Sequence, residues 1–355
     1  MISRRSLAAA FGQVKPIFVQ AESPFSAGHG MLVARFDREV SMRRLLPLLA
    51  CLSFSLVASA ATIRRQAAIT IDDLPSSEIA LSSEADLAAR NARIIAALRG
   101  TNAIGFVNEN KLEVDGAVSP ARLQWLRDWL AAGIALGNHC YNHNGLHATP
   151  IEAYERSILD GERQLRPLLA EFRQAPQWFR HPYLQAGQDD AQRARLDAFL
   201  GEHGYRIAPV TVDNGEWIYA RAYLLLRNTG KHSEAQALIP EYIDYLEAKF
   251  QFFEQASKRL FGREIAQVLL IHANALNADA LPALLDRLRR RGYDFVRLDD
   301  ALADPAYAHA DGYRGRAGIS WLHRWAMAEQ KPKSFYEGEP AVPQHVLDIA
   351  GVEGE

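Results

Sequence analysis

From Ala67 to Leu298 short apolar runs alternate with longer amphipathic ones, and this alternation limits what the chain can build more than any other feature. The apolar runs are Ala67–Asp72, Ala103–Val107, Ile134–Asn138, Gln177–Arg180, Arg206–Val212, Val268–His272 and Asp294–Leu298, each of strand length. The intervening segments carry helix signals. Ser119-Pro120 supplies an N-cap and a first-turn proline, while Gly100, Gly133 and Gly292 stand just past the ends of periodic stretches. Strands separated by helices predict right-handed βα units and a mostly parallel sheet, either barrel-like or doubly wound. Tyr219 to Phe261 is too long for a simple connection and reads as a helical insertion (219–262), with Leu224, Ala237, Tyr242, Leu246, Phe250 and Phe253 as its packing positions. From Pro305 to Glu355 the chain is rich in Gly, Pro and Tyr with weak periodicity. This predicts an irregular tail, partly packed and fraying at its end.

The first sixty residues do not read as part of that fold. Met42-Arg43-Arg44 is a basic n-region, Leu45 to Val57 an apolar core of signal-peptide length, and Ala58-Ser59-Ala60 a small-residue cleavage site. The expectation is a secretory signal over 42–60, an exported periplasmic or extracellular product, and a start assigned too early for residues 1–41. No later run approaches the roughly 20 apolar residues that a bilayer crossing needs, so no stable membrane insertion is expected after cleavage. Cys51 leaves with the signal, and Cys140 alone has no partner for an internal disulfide. The formal net charge is −2. With no Lys/Arg-rich run, this argues against nucleic acid as a partner. Nothing in the pattern sets an oligomeric state.

In a parallel α/β architecture reactive side chains collect where strands end and loops begin. Asp72-Asp73 closes the first apolar run. His139 and His143, in "HCYNH", follow the third; Arg180 ends the fourth; Asp213, Glu216 and Trp217 follow the fifth; His272 ends the sixth. Spacing alone leaves the two histidines open, since residues four apart on a helix converge on an ion or merely share a polar surface. Adjacent carboxylates after an apolar strand are costly without a neutralising charge. Two imidazoles and one carboxylate on the same rim form a set that holds a divalent metal and leaves positions open for water and substrate. A ferrous oxygenase site has the same ligands, but would leave Asp72 and His272 unexplained. A HExxH protease is disfavoured, because Cys140 stands where its glutamate belongs.

The strings TIDD, HCYNH, RHPY, the Glu216-Trp217 pair and LLIH, in this order, resemble the five motifs of the NodB-like polysaccharide deacetylases, carbohydrate esterase family four. The resemblance spans Ala67 to Leu302 and implies a distorted (β/α)7 barrel as the catalytic domain, 61–304. It implies that Asp73, His139 and His143 bind a divalent metal, zinc or else cobalt, nickel or manganese. It further implies that Asp72 is the general base, that Arg180 orients it, and that the Tyr183 N–H meets the oxyanion. His272 would be the general acid, tuned by Glu216 or Asp213, with Trp217, Leu270 and Pro182 against the substrate. The implied activity is hydrolysis of acetyl groups from the N-acetylated sugars of a polysaccharide or oligosaccharide. O-acetyl cleavage on a xylan-type glycan and a non-catalytic sugar-binding homologue are the alternatives.

The chain departs from the family pattern in places. Cys140 replaces a Ser or Thr and reads as packing; Leu74 replaces a glycine; His181 replaces a proline and reads as solvent-facing. His147 reads as surface, and the aromatic string Ile319 to Ala326 as core or lid packing.

Overall fold

The computed structural model describes residues 64–354; the leader and signal expected over 1–60 lie outside them. Its strands are β1 (Arg65–Leu74), β2 (Ile104–Val107), β3 (Glu113–Val114), β4 (Ala117–Val118), β5 (Ala135–Asn138), β6 (Trp178–Phe179), β7 (Arg206–Ile207), β8 (Gln267–His272) and β9 (Tyr293–Phe295). Seven of them form one sheet in the order β7-β6-β5-β2-β1-β8, with β9 also on β1, and every pairing in it is parallel. The seven expected strands are these seven. β3 and β4 make a separate antiparallel hairpin, too short to show a period in the sequence.

The sheet curls because one stretch of chain reaches both of its edges. Arg206 and Ile207 pair with β6. Further on, the N–H groups of Thr211 and Val212 donate to Val268 O, and Val212 bridges Leu269 of β8. The expected Arg206–Val212 strand is therefore bent between two partners, and its closure is partial. The result is the distorted α/β barrel that the resemblance implied, with β9 set aside against only the first three residues of β1.

The helices are α1 (Glu84–Leu98), α2 (Pro120–Ala131), α3 (Ile151–Asp160), α4 (Leu165–Glu171), α5 (Asp190–Glu202), α6 (Glu216–Asn228), α7 (His232–Phe261), α8 (Ala275–Arg290), α9 (Leu298–Leu302), α10 (Trp321–Ala328) and α11 (Gln344–Ala350). Ser83, Ser119 and Asn274 accept backbone N–H groups at the starts of α1, α2 and α8, each satisfying a donor that the first turn leaves open. The central strands are buried throughout; Ala67, Ile69, Ile71, Val268, Leu269 and Ile271 are at or below 1% exposure. That burial on both faces explains why they read as continuous apolar runs.

The insertion is two helices, α6 and α7, and it begins at Glu216 rather than Tyr219. Tyr242, Leu246, Phe250 and Phe253 are buried in the core as expected. Ala237 is exposed, and Ala235 and Leu238 take its place, a rotation that the apolar pattern around Pro240 did not fix. The C-terminal stretch is more regular than its composition suggests. It contains α10 and α11, buries Trp325, Leu322 and Val346, and packs α11 on α6. The Trp321 N–H donates to Val210 O at 2.7 Å, which ties this stretch to the chain that closes the barrel.

Candidate active site

β1 and β8 run in register so that Asp72 lies directly beside His272, and the next residue, Asp73, turns out of the strand with φ 71°. His139 follows β5. The segment after it is no helix: Cys140 and His143 both adopt positive φ (63° and 56°). His139 and His143 therefore converge through a strained turn, not along a helix face. Tyr183 and Leu184 also have positive φ. For non-glycine residues this is a costly backbone state that surrounding packing must hold.

Asp73, His139 and His143 each offer a ligand atom within 4.8 Å of the others. His143 Nε2 lies 3.6 Å and His139 Nε2 3.9 Å from Asp73 Oδ1, close to the roughly 3.3 Å edge of a tetrahedron with ~2.0 Å bonds. His139 Nδ1–H donates to Arg180 O at 2.8 Å, so its Nε2 lone pair faces the shared point. Burial lowers the pKa of both histidines, His139 well below its ordinary value, which keeps them neutral as ligands must be. Burial raises the Asp73 pKa, but Lys111, whose Nζ is 2.9 Å away, and the neighbouring histidines outweigh it and hold the carboxyl ionised. Asp72 Oδ1 is buried and accepts no hydrogen bond, while Asp73 Oδ1 faces the Lys111 ammonium and the two imidazoles. This donor set fits a divalent cation, and an orphaned oxygen such as Asp72 Oδ1 wants a positive partner.

Asp72 is 2% exposed. Burial pushes its pKa up to about 6, against the pull of Arg180. Arg180 is fully buried, with Nη1 3.5 Å from Asp72 Oδ2, Nη2 donating to Thr70 Oγ1 at 2.9 Å, and its guanidinium over the Phe106 ring. Of the two carboxylates considered for His272, Glu216 is the one in contact: its Oε2 is 2.7 Å from Nδ1. Asp213 lines the cavity but instead accepts the Asn214 N–H. Burial lowers the His272 pKa, yet Glu216 outweighs it and lifts the imidazole to about 9.

A cavity of about 650 Å³ opens over these groups, with Trp217, Leu270 and Tyr183 in its wall. Pro182 is buried behind the turn, outside the lining. His181 is also buried, packed on Phe179 at 5.0 Å, with its pKa lowered to about 3 by burial; the solvent-facing expectation fails because the turn after β6 folds inward. Cys140 is buried packing near Tyr154 and Phe179.

Sequence reasoning missed four residues. Asn274 and Asn277 both donate to Glu216 Oε1; the Asn274 N-cap signal was available, and the buried Asn277 had none. Lys111 reaches Asp73 from beyond β2. Glu78 lines the cavity, held by Arg90 at 2.6 Å and the Ala275 N–H, and burial raises its pKa to about 7 against Arg90.

A curled parallel sheet that ends in two neutral imidazoles and a carboxylate around one point defines a barrel protein able to hold a single divalent cation beside a carboxylate and a cationic histidine. The family model described as polysaccharide deacetylase matches residues 59–205. That stretch holds Asp72, Asp73, His139, His143, Arg180 and Tyr183, and over it the chain is similar to the polysaccharide deacetylase family. Glu216 and His272 lie past its end. Among solved structures the chain is similar to the peptidoglycan deacetylase PdaC from Bacillus subtilis (18% identity, 68% of this chain and 93% of that one, TM-score 0.43). It is similar also to a family 4 carbohydrate esterase from Streptomyces lividans in complex with acetate (18%, 67% and 95%, TM-score 0.41). A third is a CE4 family pseudoenzyme from Bacillus anthracis (14%, 68% and 66%, TM-score 0.43). No curated protein matches.

Proposed function

We propose that the protein is a metal-dependent deacetylase that hydrolyses acetamido groups on a glycan. The observation that carries this reading is the pairing of two oppositely tuned groups in register, Asp72 at about 6 and His272 at about 9, beside the Asp73, His139 and His143 set. Amide hydrolysis needs one group to take a proton from water and another to give one to the departing amine. At neutral pH Asp72 is ionised for the first task and His272 is protonated for the second.

When bound, a divalent cation polarises the carbonyl and makes water more acidic; Asp73, His139 and His143 would hold it, and zinc suits two nitrogens and one oxygen. Asp72 accepts the proton of the attacking water, held in place by Arg180. The backbone N–H of Tyr183, on a turn fixed in a left-handed conformation, stabilises the oxyanion. His272 then protonates the amine, and Glu216, itself fixed by two asparagines, keeps its imidazole charged and aligned. Trp217 and Leu270 supply the apolar wall for the acetyl methyl. We further propose export through the 42–60 signal, to be checked by N-terminal sequencing of the secreted product, which should begin at Ala61.

The test is acetate release from chitooligosaccharides, peptidoglycan glycan and acetylxylan, with and without a chelator. Chelator-sensitive release from the N-acetylated glycans is expected. Release from acetylxylan alone would assign an O-acetyl esterase. Binding without release would make the protein a non-catalytic homologue, and release indifferent to chelator would overturn the metal role.

A further inference from the structure

The cavity does not stop at the acetyl-sized wall. It runs on along α6, past Trp217, Ala220, Arg221, Leu224 and Leu225 to Asn228, with Leu81 also in its lining. These α6 positions fall at i, i+3, i+4, i+7, i+8 and i+11 and so form one stripe. At 1.5 Å per residue, Trp217 to Asn228 spans about 16 Å. The large apolar side chains exposed among the described residues are Leu81, Val114, Tyr183, Trp217, Leu225 and Met327, and four of these line this one cavity. Leu81 is 61% and Leu225 39% exposed. Such a concentration marks a binding surface rather than ordinary scatter.

Its chemistry is wrong for more sugar. The polar side chains on this face of α6 are Arg221 and Asn228, and Arg221 already donates Nε–H to Ala350 O. A further pyranose ring would set most of its hydroxyls against Leu81, Leu224 and Leu225, and each buried, unpaired hydroxyl weakens binding. Because the groove shares its cavity with Asp72 and His272, whatever fills it is attached to the group being hydrolysed or lies against it. We propose that the α6 stripe and Leu81 form a subsite for a hydrocarbon chain on the substrate, making the preferred substrate an amphipathic acetamido sugar rather than an uninterrupted polysaccharide. This rests on the deacetylase reading above. Hydrocarbon meets hydrocarbon along the stripe, while the sugar head stays at the polar rim.

The experiment compares the methyl and octyl β-glycosides of N-acetylglucosamine below the micelle concentration, with chitotetraose as a third substrate, followed by acetate release. A methylene that is fully buried is worth a factor of about four in binding. The octyl glycoside should therefore have a kcat/KM on the order of tenfold or more above the methyl glycoside, almost all of it in KM. In the Leu81→Gln/Leu225→Gln double variant, whose exposed positions leave the core untouched, the octyl-to-methyl ratio should fall at least about threefold. Chitotetraose turned over with equal kcat/KM for the two glycosides overturns the subsite and leaves the deacetylase intact. An unchanged ratio in the double variant does the same. If all three substrates are inert in metal-loaded protein, the subsite falls together with the deacetylase reading.

Discussion

Asp72 and Asp73 are chain neighbours with opposite electrostatics: one carboxyl is pushed up to about 6 by burial, the other held low by Lys111 and three histidines. The strand pleat and the positive φ of Asp73 send them to different partners. Asp73→Ala should therefore lose bound zinc, and Asp72→Asn should keep it while kcat falls about 10²- to 10⁴-fold, the usual loss for a missing general base. Metal analysis beside a kinetic assay separates the two. Glu216→Gln removes the anion that outweighs the burial of His272, so the pKa of His272 drops. The alkaline limb of the kcat/KM profile should then move to lower pH, and Glu216→Asp should restore part of it. The candidate residues at strand ends were legible as a group because a strand end can be read locally. Asn277 and Lys111 were not, since each acts on a partner that no short spacing links to it. Glu216 was separated from Asp213 only by the start of α6, which turns the glutamate toward His272 and Asn274.

At the scale of elements, the turn that carries Tyr183 is held by the C-terminal stretch. Gly318 packs so closely that a Cβ there would meet Tyr183 O at 1.9 Å. Arg324 Nη2 donates to Leu184 O at 2.5 Å, and the Arg316 carbonyl accepts from the Gln185 side chain and faces His147 Nδ1 at 2.9 Å. Gly318→Ala should displace this turn and lower kcat at least about tenfold while leaving zinc stoichiometry at one, because no ligand sits on the turn. Unchanged kcat would show that the stretch only covers the barrel. Its helices were hidden in the sequence by length: α10 and α11 have eight and seven residues, too few for a period to stand out. The long α7 shows the opposite case. Leu246 is fully buried, and Leu246→Ala should cost about 2–5 kcal/mol, read as a lower denaturant midpoint.

For the whole molecule, the proposed mechanism gives the two tuned groups a window of activity. Below about pH 6 Asp72 takes up a proton and cannot accept one; above about pH 9 His272 loses its proton and cannot give one. The profile of kcat/KM should be a bell between these limits, with the acid limb drawn lower by a cation beside Asp72. A profile that lacks both limbs would remove this assignment. The parallel architecture was legible because both-face burial leaves uninterrupted apolar runs. The partial closure at Val212 was not, since it depends on a bend that shares one strand between two neighbours. No described helix is long and apolar enough to cross a membrane. The central claim is that Asp73, His139 and His143 gather one cation for Asp72 and His272 to use. Its most direct measurement is calorimetric zinc titration of metal-free protein, paired with acetate release after each addition. One zinc per chain, absent in His143→Ala, with acetate release rising in step with occupancy, is the predicted result; an undiminished zinc site in His143→Ala, or release that ignores occupancy, would contradict it.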